Sequence, residues 1–241
     1  RSGRRALGAG LTALLLGCTT TPDSPPPAAT DAAAFTGWSE FLLPGKRSTL
    51  YVPRWENVRE VVRAEADASA SMWRRAVRVE PSRLARVGFS WRVDQLIPAA
   101  DLSVAERSDS PVRLVFAFDG DRSLLSMRNR VLFELAETLS GEPPPYATLM
   151  YVWDNRAPPE SVLLGHRTDR VRKIVVESGV AARGRWLNYE RDVVADYRRA
   201  FGEEPGTLVG IGLMTDTDNT ASRAAGTYGE VRLFGRDGLA M

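Results

Sequence analysis

The chain has 241 residues, with 32 Lys and Arg against 30 Asp and Glu, a single Cys and a single His. One cysteine excludes an intrachain disulfide and any multi-cysteine metal cluster, while one histidine, His166, excludes a His-rich metal centre and leaves a nucleophilic triad only one base. At 44% apolar and 26% charged residues, the composition is that of a globular domain rather than a disordered chain or a multi-span membrane protein.

Arg1-Ser2-Gly3-Arg4-Arg5 is followed by an uncharged apolar run from Ala6 to Gly17 and then by Cys18. A basic segment, a short apolar segment and a small residue before a cleavage point make up a secretory signal, too short for a membrane span. Leu15-Leu16-Gly17-Cys18 resembles the lipobox of bacterial lipoproteins, whose cysteine is lipidated and becomes the mature N-terminus. Residues 1–17 are therefore expected to be a lipoprotein signal peptide and Cys18 the attachment point. The resulting localisation is the bacterial cell envelope, with the domain exported and anchored to the outer membrane facing the periplasm. Arg4-Arg5 suits either general secretion or twin-arginine export. Without the leader the chain carries 29 basic and 30 acidic residues, a formal charge of −1. That balance lacks the positive footprint of a nucleic-acid binder. Of the basic residues, 30 are Arg and only Lys46 and Lys173 are Lys, a bias attributed to base composition.

Residues 18–37 are rich in Pro, Ala and Thr, with Phe35 the one large apolar residue, and are expected to be an extended tether. At about 3 Å per residue it would reach roughly 50 Å. Residues 38–236 then read as one domain. β-branched, aromatic or alternating segments predict strands at 38–43, 58–66, 71–79, 89–96, 112–118, 148–153, 172–177, 186–194, 208–214 and 227–234. Asp121 is placed to cap a helix running to about Leu139, with Leu124, Val131, Leu132, Leu135 and Leu139 on its apolar stripe, and Val194–Phe201 forms a second short helix. The expected fold is all-β, a two-layer antiparallel β-sandwich of jelly-roll-like build with one or two short helices inserted. Gly210-Ile211-Gly212 invites a dinucleotide-binding reading, but Thr215 stands at the third glycine position and no helix pattern follows.

Two stretches carry chemistry. On a strand, Trp186, Asn188, Glu190 and Asp192 share one face, and Leu187, Tyr189, Arg191 and Val193 the other. An aromatic ring beside carboxylates and an amide suits a sugar-binding surface, to which Trp91, Trp153 and Tyr228 are also assigned. The bland alternative is an ion-paired face with Arg191 buried against an acid. In Met214-Thr-Asp216-Thr-Asp218-Asn219-Thr220, the side chains of Asp216, Asp218 and Asn219, with Glu230 brought close by a hairpin, offer hard oxygens that suit calcium. The competing reading is a turn whose side chains bond backbone. No other cofactor is expected. His166 reads as a loop residue, and Asp109 and Arg113 as a structural pair at a strand start.

The fragments Trp91-Arg-Val93, Asp109-Ser-Pro-Val-Arg113, Tyr151-Val-Trp153, Asp196-Tyr-Arg198, the Met214–Thr220 run and Tyr228-Gly229 together resemble the bacterial family catalogued as domain of unknown function 3047. The likeness covers about residues 38 to 235, its most specific piece is the Met214–Thr220 run, and it implies no activity. Its pattern carries aspartate where this chain has Glu230. The layout also resembles jelly-roll carbohydrate-binding modules, in which a late strand ends in an acidic residue near a structural calcium. The leading expectation is a lipid-anchored envelope protein that binds a polysaccharide without cleaving it. The alternatives are a glycoside hydrolase or polysaccharide lyase using two of Glu190, Asp192, Asp216 and Asp218, and an envelope scaffold with an exposed apolar patch.

Overall fold

The computed structural model describes residues 34–241. The signal peptide, Cys18 and most of the tether lie outside the described residues. The folded part reaches back into the segment read as tether, because Phe35 is buried and packs edge-on against Trp38 at 5.7 Å between ring centroids.

Among the described residues, thirteen strands form two sheets. They are β1 (Ser39–Leu42), β2 (Leu50–Glu56), β3 (Arg59–Asp67), β4 (Ala70–Val79), β5 (Leu84–Val93), β6 (Ser110–Phe118), β7 (Ala147–Asp154), β8 (Val162–Leu164), β9 (Val171–Ser178), β10 (Leu187–Asp192), β11 (Leu208–Asp216), β12 (Arg223–Tyr228) and β13 (Arg232–Gly235). The seven-stranded sheet has the order β1-β4-β11-β6-β7-β9-β8, and the six-stranded sheet β10-β5-β12-β3-β2 with β13 continuing beside β5. All pairings are antiparallel except β7 with β9, which the small edge strand β8 makes possible by turning the chain back on itself.

The sheets stack because strand alternation gives each an apolar face. In β5, Val87, Phe89, Trp91 and Val93 are buried, while Arg86, Gly88, Ser90 and Arg92 point away. These inner residues meet Phe116, Tyr151 and Ile174 of the facing sheet in one core, with Phe89 stacked on Tyr151 at 5.6 Å. The two-layer all-β sandwich read from the sequence is thus the fold of the described residues. The segment expected as one strand over 227–234 is two, β12 and β13, broken at residues 229–231. β2 and β8 were not foreseen.

Two helices interrupt the strands. α1 (Met127–Ser140) is capped by Ser126, whose hydroxyl accepts the Asn129 N–H at 3.2 Å, and ends at Gly141 with φ +76°. Asp121 caps only a single 3-10 turn ahead of it. Phe133 and Asn129 face inward, whereas Leu124, Val131, Leu135 and Leu139 are exposed and only Leu132 of the expected stripe packs on the core. α2 (Val193–Phe201) begins where β10 stops, because the Asp192 carboxylate accepts the Ala195 N–H at 2.8 Å. Among the described residues no helix is long and apolar enough to cross a membrane.

Candidate functional site

β10 lies at the edge of the six-stranded sheet, registered so that Leu187 opposes Trp91, Asn188 opposes Ser90 and Glu190 opposes Gly88. Asn188, Glu190 and Asp192 point outward and are exposed, and Leu187, Tyr189 and Arg191 are half-buried toward the core side. Trp186 leads into this strand, half-buried, with the guanidinium carbons of Arg59 and Arg92 at 4.9 and 5.3 Å from its ring centroid. Arg92 donates two hydrogen bonds to Glu56 of β2, at 2.9 and 3.4 Å. Side chains from β2, β3 and β5 therefore gather on one outer face around the indole that precedes β10. Sequence reasoning missed Arg59 and Arg92; the alternation of β5 would have placed Arg92 outward, but nothing local links Arg59 to Trp186.

The other three aromatic candidates are not on that face. Trp91 is fully buried on the inner side of β5, edge-on to Phe89 and Tyr189 at 5.1 and 5.5 Å. Trp153 is buried on β7 and donates its indole N–H to the Gly179 carbonyl at 3.0 Å. Tyr228 is buried between the sheets. All three sit in the core because each shares its strand face with apolar neighbours, so the ligand-binding assignment is corrected for Trp91, Trp153 and Tyr228.

The carboxylates of the Trp186 strand are already engaged. Glu190 forms an ion pair with Arg86, and Asp192 is spent on the helix cap. On the opposite side of β10, Arg191 binds Asp196 at 2.7 and 3.0 Å and Glu160 at 2.7 and 2.9 Å. Its guanidinium, with that of Arg199, holds the Glu160 carboxyl down at about 2. Tyr151 donates to Asp196 at 2.7 Å, tying this knot to the core.

The Met214–Thr220 run is a clasp in which each residue except Met214 uses its side chain. Met214 contributes its carbonyl to the Tyr228 hydroxyl at 2.6 Å. Thr215 donates to the Pro111 carbonyl at 2.8 Å and shares a hydrogen bond with Tyr228 at 2.9 Å. Thr217 accepts the Ser69 N–H at 3.3 Å. Asp216 is bound in two-pronged fashion by Arg113, at 2.9 and 2.8 Å, and Asp218 pairs with Lys46. Asn219 donates its amide to the Ala105 carbonyl at 2.9 Å. The Asn219 and Thr220 N–H groups and the Thr220 hydroxyl all bind Asp109, at 3.1, 2.7 and 2.6 Å. Arg113 thus pairs with Asp216, not with Asp109 as expected.

Asp109, Asp216 and Asp218 each offer an oxygen within 4.8 Å of the others, but Glu230 is not among them and bonds Arg232 at 2.5 Å instead. The guanidinium of Arg113 and the ammonium of Lys46 already stand where a cation would neutralise the acids. Both lysines of the chain border this region: Lys173, buried beneath the loop before β6, donates to the Ser108 hydroxyl at 2.8 Å. Burial, reinforced by Arg113 and opposed by Asp216 and Asp154, pushes its ammonium down to about 7. Burial likewise raises Asp216 to about 6 against the pull of Arg113. His166 is exposed, within 3.1 Å of the Leu102 carbonyl.

A family model described as "Protein of unknown function (DUF3047)" matches residues 36–232. No curated protein matches the sequence. Among solved structures, the chain is similar to the xyloglucanase domain of NopAA, a type three effector from Sinorhizobium fredii, in complex with cellobiose. The TM-score is 0.43 at 10% identity, covering 84% of this chain and 99% of that one. It is also similar to the family 11 xylanase from Neocallimastix patriciarum, with a TM-score of 0.35 at 7% identity, covering 82% of this chain and 100% of that one.

Proposed function

From the premise that the chain belongs to the protein family of unknown function DUF3047, we propose that it is a lipid-anchored envelope protein whose sandwich binds a glycan on the outer face of the six-stranded sheet without cleaving it. The observation that carries this reading is Trp186, half-buried beside the guanidiniums of Arg59 and Arg92, with Asn188 exposed on the strand it leads into. An indole fixed on a sheet surface stacks on a pyranose ring, and the neighbouring amide, hydroxyl and guanidinium groups take its hydroxyls. The Glu190–Arg86 pair lies along the same strand as a polar rim.

Binding is favoured over cleavage by the fate of the acids. A glycosidase needs two free carboxyl groups about 5 to 10 Å apart, one of them able to donate a proton. Glu190 and Asp192 belong to one sheet, Asp216 ends a strand of the other and Asp218 lies in the turn after it, and each already has a cationic partner or a backbone N–H. A glycan array comparing the wild type with Trp186→Ala, Asn188→Ala and Glu190→Ala combined tests the reading. Loss of the array signal with the unfolding transition retained supports it, and an unchanged array refutes it. The anchor has its own test: Cys18→Ser abolishes labelling by a fatty-acid analogue, whereas an unlabelled wild type refutes lipidation.

A further inference from the structure

α1 presents its apolar stripe to solvent rather than to the core. Met127, Val131, Leu135 and Leu139 recur every four residues along one side, and Leu124 precedes them. These five side chains are between 54% and 72% exposed. A run of i, i+4 apolar residues on the solvent side inverts the usual pattern of a surface helix. The inward side needs only Phe133 and Asn129, the latter bonded to Asp169 at 2.6 Å and to Thr168 at 2.8 Å.

The charges around the stripe are as unusual as the stripe. Arg122, Arg128, Arg130 and Arg167 surround the N-terminal half of α1, all exposed, and none forms a salt bridge among the described residues. Arg122, Arg128 and Arg130 donate only to backbone carbonyls, those of Pro144, Arg167, Leu125 and Ser123. The first turn of the helix has no acidic residue, so the guanidiniums gather at the positive end of the helix dipole, with Asp121 and Asp169 the acids nearby. Glu134 and Glu137 come one and two turns later, on the flank that carries Arg130 and away from Arg128.

We propose that this face docks on a lipid surface, the stripe entering the acyl boundary and the arginines taking anionic headgroup phosphates. An amphipathic helix lying in the plane of a bilayer has this combination of apolar side and flanking arginines. A second copy of the chain fits less well. Five side chains of this size offer on the order of 500 Å², short of the roughly 800 Å² per partner that a stable interface buries. The docking goes beyond the glycan-binding reading and does not depend on it, since α1 lies outside the Trp186 face.

The experiment uses the full chain carrying Cys18→Ser, so that an acyl anchor contributes nothing and its failure leaves the result untouched. Leu135→Trp serves as reporter against the same chain without it, on phosphatidylcholine vesicles with and without phosphatidylglycerol. Lipids brominated on the acyl chain are expected to quench the reporter in excess of the control on anionic vesicles. Arg122→Gln, Arg128→Gln and Arg130→Gln together remove that excess, and Val131→Asp with Leu139→Asp lowers it roughly tenfold while the circular dichroism spectrum is retained. The absence of excess quenching overturns the proposal, as does quenching indifferent to headgroup charge. A concentration-dependent dimer in sedimentation, dissolved by Val131→Asp, assigns the face to a second copy and overturns it as well.

Discussion

Asp216 and Lys173 show what single buried charges do in this molecule. Asp216 is fully enclosed and carries both prongs of Arg113, with Asp109 and Asp218 close by. Arg113→Met removes the cation that hydrogen-bonds it and leaves a carboxyl beside two others, which is expected to cost about 3–5 kcal/mol in urea unfolding. Lys173 has the opposite problem, a buried ammonium whose hydrogen-bond partner among the described residues is the neutral Ser108 hydroxyl. Its folded value of about 7 lies below the ordinary lysine range, so between the two the unfolded chain holds the extra proton and the folded one does not. Stability therefore rises with pH across that window and is lost as pH falls through about 7. From pH 7 to 8.5, below the onset of tyrosine ionisation, the gain is about 1.5 kcal/mol, and Lys173→Met is expected to flatten it. A variant with the wild-type slope over that range would contradict the buried ammonium. The sequence held a hint of this, because two lysines among thirty-two basic residues are exceptions that call for a reason. Compositional bias explains the arginines and says nothing about why Lys46 and Lys173 both border the Asp109–Asp216–Asp218 cluster.

Elements were legible where side-chain alternation was clean. In β5 the polar and apolar residues separate by parity, and the same rule sorts the tryptophans: Trp91 shares a face with Phe89 and Val93, Trp186 with Asn188 and Glu190. Trp153 follows Leu149-Met-Tyr-Val152, a run without alternation, and its burial could not be read from it. β2 was hidden by Pro53 and its charges, which an edge strand tolerates, and β8 is three residues long. For α1 the period was legible and the direction was not. The helix has an aromatic side at Phe133 and an aliphatic side at Val131, Leu135 and Leu139, and the periodicity fits either one facing the core. The strand predicted through Val194 ends at Asp192 because a carboxylate that can cap the next turn stops the ladder there. Asp192→Ala is expected to cost about 1 kcal/mol by thermal melting. No change would mean that packing of Val193, Val194 and Tyr197 alone sets the start of α2.

At the scale of the molecule, the Met214–Thr220 run acts as a clasp. The Met214–Thr220 run ties β11 to β6, to β12 through Tyr228, and to the loop before β6 through Asp109 and Ala105. A run so fully used in holding two sheets and a loop together leaves the chemistry to the surfaces, where two faces differ in kind. The outer face of the six-stranded sheet is polar around one indole, and α1 is apolar with flanking arginines. The first is the central claim. It is tested most directly by titrating the strongest array ligand into the wild type, Trp186→Phe and Trp186→Ala and following the affinity by calorimetry. Stacking on the ring predicts that phenylalanine retains most of the binding, while alanine loses about 1 kcal/mol or more, at least fivefold in affinity, at an unchanged melting temperature. Equal affinities for all three proteins would contradict the assignment of this face to glycan binding.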